Sequence, residues 1–312
     1  TALGDEFTQL PMVTVVGDVK HAALVEDVLE REKPNVVFHA AAYKHVPLME
    51  ETNAWQAVRN NAYGTWVIAR ASVAAKVEKF VLVSTDKAVN PTSVMGASKR
   101  LAEIVCQTLE GGGTAFVVVR FGNVFGSAGS VIPRFREQIA RGGPVTVTHP
   151  DITRYFMSLS EATQLLLQAG LMGRSGEILV LDMGEPVRIV DLARDMIKLS
   201  GADPERIAIV YTGLRPGEKL FEEVLATEEA TKPTPHPKLR IAQARDADRD
   251  AVGQMVTWCE HDRAADDAEV RARLRAWIPD YAPSAGAPVK PIPTTAPSGR
   301  EEVKPLPLRR RR

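Results

Sequence analysis

The chain has 312 residues, of which 45% are hydrophobic and 25% charged, and its formal net charge is zero. This length and composition are typical of a globular protein with a large core, and the balanced charge excludes a bulk attraction to nucleic acid or anionic lipid. Two cysteines, Cys106 and Cys259, are too few for a disulfide framework or a zinc cluster, so we expect no metal site and a reducing, cytoplasmic environment. Because no run of about 18 consecutive apolar residues is present, we expect no membrane span.

From Val13 to about Leu181, short apolar segments alternate with longer helical patterns, which is typical of βαβ units and a parallel sheet. The predicted strands are Val13–Val16, Val36–His39, Phe80–Ser84, Thr114–Phe121 and Ile178–Leu181. The predicted helices are Asn53–Lys76, Ser98–Glu110, Asp191–Ser200 and Glu218–Thr227. We therefore predict an α/β fold with a doubly wound parallel sheet. The expected parts are an incomplete dinucleotide-binding domain with the active site (1–130), a smaller substrate lobe (131–280) and a disordered basic tail (281–312).

The first predicted strand is not preceded by a glycine-rich turn. Dinucleotide folds carry G-x-G-x-x-G or a close variant at their first strand-to-helix turn, where backbone N–H groups hold the pyrophosphate. Gly111–Gly113 end a helix and precede a strand, which is the reverse order, and Gly122, Gly126 and Gly129 have the wrong spacing. We therefore expect the first βα unit of a Rossmann-like fold to be missing from this chain, which would leave a sheet edge unpaired.

The most informative segments are Ser84–Lys87 and Met95–Lys99. Thr85, Asp86 and Lys87 directly follow an apolar strand, so we expect them at its carboxyl end, where open α/β sheets bind ligands. Met95 and Lys99 are four residues apart on a predicted helix and therefore face the same way. Together these residues predict an active site with an acid, a base and a second lysine, and a simple ion pair between Asp86 and Lys87 is the alternative.

A series of motifs in one order and spacing resembles the extended short-chain dehydrogenase/reductase superfamily. Within it, the chain is similar to the nucleoside-diphosphate-sugar 4,6-dehydratases of the polysaccharide-biosynthesis type. The resemblance covers about Val13 to Ala226. Besides the two segments above, its motifs are Gly17-Asp18-Val19, His39-Ala40-Ala41-Ala42, Tyr43-Lys44-His45-Val46-Pro47, Asn61-Ala62-Tyr63-Gly64-Thr65, Arg120-Phe121-Gly122-Asn123-Val124, Thr153-Arg154-Tyr155-Phe156 and Arg215-Pro216-Gly217-Glu218-Lys219.

The resemblance implies a tightly bound NAD or NADP, regenerated in each turnover, and a UDP-sugar substrate. The implied cofactor contacts are Asp18, Val19, Ala40, Ala41, Ala42, Lys44, Asn61, Ser84 and Lys99. The implied substrate contacts are His45, Asn123, Arg154, Arg215 and Glu218, the two arginines through the diphosphate charge. Other interpretations stay open: a turn or N-cap aspartate at Asp18, a structural histidine at His45, surface charges at the arginines and a helix N-terminal charge at Glu218. For Asn61 we favour a specific hydrogen-bonding role, because asparagine is unfavourable inside a helix.

The resemblance also assigns the chemistry of the catalytic segment. Lys87 would remove the C5 proton of a 4-keto sugar, Asp86 would protonate the departing C6 hydroxyl, and Thr85 would bond the C4 oxygen. The first role requires the pKa of Lys87 to fall, by burial or by the charges of Lys99 and the cofactor. Lys99 is similar to the lysine that bonds the nicotinamide ribose and acts on a tyrosine four residues earlier, but Met95 stands at that position and cannot take a proton.

In this respect the chain resembles a branch of the dehydratases in which methionine stands at the position of the tyrosine. The methionine argues against an ordinary epimerase or alcohol dehydrogenase, in which the tyrosine carries the proton. We therefore expect a UDP-N-acetylglucosamine-type 4,6-dehydratase of polysaccharide or glycan precursor biosynthesis. The alternatives are a truncated, non-catalytic fragment that binds a UDP-sugar or a full-length partner and, with less support, a UDP-sugar 4-epimerase, for which Tyr is expected at position 95. We also expect a homo-oligomer, no nucleic-acid partner, and membrane anchoring of longer relatives through a segment absent here. The sequence leaves open the choice of NAD or NADP, the C5 stereochemistry and the exact sugar.

Overall fold

The computed structural model describes residues 9–127, 129–201, 203, 205–225, 231–243, 248–261 and 264–286. The strands are β1 (Val36–His39), β2 (Lys79–Val83), β3 (Ala115–Arg120), β4 (Asn123–Val124), β5 (Val145–Val147), β6 (Thr153–Arg154), β7 (Phe156–Met157), β8 (Ile178–Leu181), β9 (Val187–Arg188), β10 (Ile209–Tyr211), β11 (Thr231–Pro233) and β12 (Leu239–Ala242). The helices are α1 (Ala22–Glu32), α2 (Val46–Glu51), α3 (Ala54–Ala57), α4 (Gly64–Ala74), α5 (Val94–Thr108), α6 (Val131–Ala140), α7 (Leu159–Met172), α8 (Ile189–Leu199), α9 (Arg249–Glu260) and α10 (Asp267–Trp277). A π-helix, Val58–Tyr63, joins α3 to α4, and a 3₁₀ turn spans Asp86–Ala88.

The central sheet has six strands in the order β1-β2-β3-β8-β12-β11. The first four are parallel, and β12 and β11 continue the sheet in antiparallel pairs. Helices cover both faces: Ala69 of α4 and Cys106 of α5 pack with Phe80 on one face, and Leu165 of α7 packs with Val81 on the other. The predicted fold class, a mainly parallel and doubly wound sheet, is confirmed.

Apolar, β-branched runs form the parallel strands because both faces of the sheet are covered by helices. The middle residues of β2 and β3, such as Val81 and Val117, are completely buried. The carboxyl ends of β1, β2 and β3 therefore come together at one edge of a rigid core, and the chain leaves each strand there in an irregular segment.

Two further clusters flank the sheet. In a small lobe, Phe135 of α6, Val145 of β5 and Ile197 of α8 share an apolar core. On the other side, α9 and α10 pack on α3, α5 and the π-helix, with Trp258 between Trp55 and Trp277 at ring-centroid distances of 4.4 and 5.5 Å. Within the described ranges, no helix combines the length and the apolar character that a membrane span needs.

Two predicted elements are wrong. Val13–Val16 is irregular and exposed, with Val16 96% exposed, because no described strand lies beside it to pair with its backbone. The predicted helix Glu218–Thr227 is replaced by irregular backbone with bends over its described residues 218–225, and Thr227 lies outside the described residues. Most of the predicted tail, residues 287–312, also lies outside them. The domain bounds remain predictions.

Two predicted helices differ at their ends or in their interior. The helix predicted over Ser98–Glu110 begins earlier, at Val94, because the Ser93 side chain caps it by accepting a hydrogen bond from Gly96 N–H. The long helix predicted over Asn53–Lys76 is interrupted by the π-helix, on which Asn61 lies.

Candidate active site

A cavity of about 640 Å³ opens at the carboxyl ends of β1, β2 and β3. Most of the predicted site residues line it: Ala40, Ala42, Lys44, His45, Ser84, Thr85, Lys87, Met95, Lys99, Asn123, Arg154, Arg215 and Glu218. The predicted residues that do not line it are Asp18, Val19, Ala41, Asn61 and Asp86. The fold therefore brings together residues from about Ala40 to Glu218 in one place.

The amino end of α5 packs directly against the 3₁₀ turn Asp86–Ala88 that follows β2. A Cβ atom at Gly96 would lie 2.2 Å from the carbonyl oxygen of Lys87, so only glycine fits between the helix and this turn. The close approach places Met95 and Lys99, one helical turn apart, on the same cavity as Lys87.

The Lys87 ammonium lies among three acceptors. Its Nζ donates hydrogen bonds to Asp86 Oδ1 at 3.0 Å and to Asn123 Oδ1 at 3.1 Å, and it lies 3.6 Å from Glu222 Oε1. Burial lowers the pKa of Lys87, but the charges of Asp86 and Glu222 more than offset it, so the net pKa is raised. The role of a base requires this pKa to fall, whereas the described residues together raise it, and the cation that opposes the rise is Arg154 instead of Lys99.

Asp86 is completely buried below the cavity wall. Its Oδ1 accepts hydrogen bonds from Lys87 and, at 2.9 Å, from Thr85 Oγ1. Its Oδ2 is buried and has no hydrogen-bond partner among the described residues. The ion pair with Lys87, which was the alternative interpretation, is thus present, and one carboxylate oxygen remains unsatisfied beside it.

Lys99 is 4% exposed and donates from Nζ to the Val83 carbonyl oxygen at 2.6 Å. Burial lowers its pKa to about 8, although the nearby carboxylate of Glu103 opposes this change. Ser84, beside it, donates its hydroxyl hydrogen to Glu103 Oε1 at 2.6 Å. The inner end of the cavity therefore carries a lysine that loses its proton unusually easily, next to the thioether of Met95.

Asn61 contacts the cavity only through its neighbours. Its Oδ1 accepts from Tyr43 N–H at 2.7 Å, and its Nδ2 donates to Tyr43 O at 3.0 Å and to Ser98 Oγ at 2.9 Å. Asn61 thereby fastens the segment after β1 to α5. Asp18, in contrast, is exposed, pairs with Lys20 Nζ at 2.8 Å and accepts from Lys20 N–H, which is the turn role given as its alternative.

The two predicted arginines have different surroundings. Arg154 is 7% exposed, and both of its terminal nitrogens already donate inside the protein, to the carbonyl oxygens of Thr153 at 2.6 Å and Lys219 at 2.9 Å. Arg215 has a side chain that is 45% exposed and pairs with Glu218 Oε1 at 3.4 Å. Both arginines line the cavity, and their contacts with a diphosphate remain predictions.

Among the charged residues that line the cavity, Glu222 and Arg134 were not singled out by the sequence analysis. Glu222 lies in the segment that was predicted as a helix, where its side chain resembled one more surface charge. Arg134 lies in the first turn of α6, and no ion pair to it is found among the described residues. Neither residue belongs to a motif that would have marked it, because contacts between segments distant in sequence bring each of them to the cavity.

Several cavity residues fit the nicotinamide end of a dinucleotide. Ala40 and Ala42 have small side chains, so the backbone after β1 is accessible from the cavity, and Ser84 and Lys99 supply polar groups opposite. The fit is limited to the nicotinamide end of the cofactor. The described part of the chain has no glycine-rich strand-to-helix turn that would bind the pyrophosphate.

Solved structures define the class of fold. Pen from Bacillus thuringiensis matches with a TM-score of 0.71 and 34% identity, over 78% of this chain and 77% of that one. The dTDP-glucose 4,6-dehydratase DesIV from Streptomyces venezuelae, determined with NAD and TYD bound, matches with a TM-score of 0.59 and 21% identity, over 79% of each chain. The chain thus has the Rossmann-like fold of the extended short-chain dehydrogenases/reductases.

Residues 3–244 match the model of the polysaccharide biosynthesis protein family, and the chain belongs to that family. The capsular polysaccharide biosynthesis protein CapD of Staphylococcus aureus is 55% identical over 71% of this chain and 37% of its own length. The probable polysaccharide biosynthesis protein EpsC of Bacillus subtilis is 49% identical over 85% of this chain and 44% of its own length. The chain therefore spans less than half the length of these two relatives.

Proposed function

We propose that this chain carries the catalytic site of a nucleotide-sugar 4,6-dehydratase of the UDP-N-acetylglucosamine type. The observation that supports this most is the hydrogen-bonded pair of Lys87 and Asp86 beside a cavity that also holds Met95 and Lys99. An elimination across C5 and C6 needs a base for the C5 proton and an acid for the departing hydroxyl close together, whereas a 4-epimerisation breaks neither of these bonds. Position 95 offers only a thioether, which cannot exchange a proton.

The Asp86–Lys87 hydrogen bond provides both reagents in one proton movement. Transfer of one proton from Nζ to Oδ1, across the 3.0 Å hydrogen bond, leaves a neutral amine and a neutral carboxylic acid. The amine then takes the C5 proton of the 4-keto sugar, and the electron pair of the C5–H bond forms the C5–C6 double bond. The C6–O bond breaks, the hydroxyl leaves as water with the Asp86 proton, and the pair returns to ammonium and carboxylate.

When bound, NAD or NADP would supply the hydride acceptor for C4 and the hydride donor for C6. Lys99, Ser84 and the open backbone at Ala40 and Ala42 would hold its nicotinamide end. Thr85, whose Oγ1 lies 2.9 Å from Asp86 Oδ1, would orient the C4 oxygen over the acid and base. Arg215 at the outer part of the cavity would pair with the diphosphate.

Two other functions are set against this one. The UDP-glucose 4-epimerase of Rickettsia typhi is 36% identical over 70% of this chain, which supports an epimerase as one alternative. A binding fragment without catalysis is the other, because the chain spans less than half of its CapD and EpsC relatives.

The test is incubation of the purified chain with UDP-N-acetylglucosamine, with and without NAD⁺ or NADP⁺, followed by mass spectrometry. We expect a product lighter by one water, and a loss of at least about 100-fold in rate for Lys87→Ala and for Asp86→Asn. Glu137→Gln, a change in an exposed ion pair on α6, serves as the control with unchanged rate. A product of unchanged mass would support the epimerase, and a thermal shift with UDP-sugar but no product would support the binding fragment.

A further inference from the structure

A buried arginine fixes the position of Glu222 at the cavity. Arg154 donates to the carbonyl oxygens of Lys219 and Leu220, at 2.9 and 3.3 Å, and thereby fixes the segment that carries Glu222. The guanidinium Nε also lies 3.6 Å from Glu222 Oε1. As a result, a glutamate in an irregular segment has a side chain that is only 3% exposed and lines the cavity.

The same oxygen of Glu222 faces the catalytic lysine. Glu222 Oε1 lies 3.6 Å from Lys87 Nζ, on which Asp86 and Asn123 also converge. Its second oxygen, Oε2, is buried and has no hydrogen-bond partner among the described residues. Burying a carboxylate with one unsatisfied oxygen is costly, and buried ion pairs contribute little net stability, so the position is poorly explained by folding alone.

We propose that Glu222 is a positioning residue that holds Lys87 in its ammonium form against Asp86. This inference rests on the proposed function, in which Lys87 must lose a proton to Asp86 before it can act. The charged groups facing Lys87 are Asp86 and Glu222, which favour the ammonium, and Arg154, which opposes it. Asp86 is the partner of the proton transfer itself, so Glu222 is the carboxylate that sets how readily the transfer occurs.

Removing the Glu222 charge should therefore make the Lys87 amine easier to deprotonate. Glu222→Gln keeps the shape of the side chain but removes its negative charge. Because the positive charge of Arg154 then has no opposite charge at position 222, the ammonium form of Lys87 becomes less favourable. Two unit charges at about 4 Å interact by about 1 kcal/mol even in bulk water, which corresponds to a roughly fivefold change in the neutral fraction. We take this fivefold change as the lower bound of the effect.

The first experiment measures the amine directly and does not need turnover. The purified chain is treated with an amine-acylating reagent at pH 6 to 9, and acylation of Lys87 is followed by peptide mass spectrometry. At a fixed pH below the plateau, we expect Glu222→Gln to acylate at Lys87 at least about fivefold faster than the original chain. Glu222→Asp keeps the charge on a shorter side chain, so we expect a rate of Lys87 acylation between those of the original chain and Glu222→Gln. If Glu222→Gln does not fold, the comparison of Glu222→Asp with the original chain tests the proposal.

The matched control is Glu223→Gln. Glu223 is the next residue along the chain, has a side chain that is 42% exposed, and pairs with Lys219 at 3.1 Å and Asn90 at 3.1 Å instead of with Lys87. We expect no change in Lys87 acylation in this variant. Equal rates for Glu222→Gln and Glu223→Gln, or a slower rate for Glu222→Gln, would overturn the proposal.

A second measurement separates this proposal from the proposed function. If the chain forms the dehydrated product, the acidic limb of the kcat–pH profile should move to lower pH in Glu222→Gln, return towards its original place in Glu222→Asp, and stay unchanged in Glu223→Gln. If it forms no product under any condition, the proposed function fails, whereas the acylation result still decides whether Glu222 holds the Lys87 proton.

Discussion

Glu103 of α5 is completely buried and accepts hydrogen bonds from two arginines and a serine. Arg120 approaches it with Nε and NH2, each at 2.8 Å, Arg100 with NH1 at 3.0 Å, and Ser84 with Oγ at 2.6 Å. The change Glu103→Gln keeps the shape of this centre but removes the carboxylate charge that both guanidinium groups contact. We expect it to be strongly destabilising.

The size of the effect follows from the carboxylate's proton affinity. Burial by itself raises the pKa of Glu103, but the charges and hydrogen bonds of Arg120 and Arg100 outweigh it and bring the pKa from 4.5 to about 2. That difference corresponds to about 3 kcal/mol of folding free energy. Breaking a buried ion pair on one side costs about 3–5 kcal/mol in general, so the two estimates agree.

The assay is urea unfolding of both chains, followed by circular dichroism between pH 2 and pH 7. Because the folded-state pKa lies below the unfolded one, the contribution is fully present above pH 4.5 and is lost as the pH falls through about 2. The difference between the two chains should therefore be about 3 kcal/mol or more at pH 7 and shrink towards pH 2. Glu137→Gln, which removes one exposed ion pair with Arg141, should change stability by at most about 0.5 kcal/mol. A difference below about 1 kcal/mol for Glu103→Gln, or one independent of pH, would refute the reasoning.

Two further predictions concern α5. Gly96→Ala should destabilise the chain by about 1–3 kcal/mol in thermal or urea unfolding, because its Cβ would lie 2.2 Å from Lys87 O. Gly253→Ala in α9, where an added Cβ meets nothing within 4 Å, should instead stabilise by about 0.5–1 kcal/mol, and equal effects would contradict the packing argument. Lys99→Met should gain up to about 3 kcal/mol of stability at pH 7 while abolishing activity, since burial lowers the pKa of Lys99 from 10.5 to about 8. Below pH 8 the folded chain must bury the charged ammonium of Lys99, and this free-energy cost disappears as the pH rises to 10.5. A gain in stability of Lys99→Met that does not shrink between pH 8 and pH 10.5 would contradict this prediction.

The central strands could be predicted from the sequence because buried strands consist of continuous apolar residues. Phe80–Val83 and Ile178–Leu181 are continuous apolar runs, which suit strands covered on both faces. The positions of Lys87, Met95 and Lys99 followed from the same logic, since side chains just after a strand and one helical turn apart have few places to go.

The errors have a common physical cause, which is dependence on distant partners. Val13–Val16 has the composition of a strand, but a strand forms only where another backbone pairs with it. The segment 218–225 has helical composition, yet Arg154, far away in sequence, binds the carbonyl oxygens of Lys219 and Leu220, and the segment is irregular. Glu222 was missed for the same reason, and so was the raised pKa of Lys87, because that carboxylate is one of its causes.

The most direct test of the central claim is the reaction of the purified chain with UDP-N-acetylglucosamine and NAD⁺ or NADP⁺ in D₂O. If Lys87 removes the C5 proton, the product has lost one water and carries solvent deuterium at C5, and neither change occurs with Lys87→Ala. A product of unchanged mass at C5 and C6, inverted only at C4 and free of deuterium, would contradict the assignment of Asp86 and Lys87 as the acid and base of an elimination.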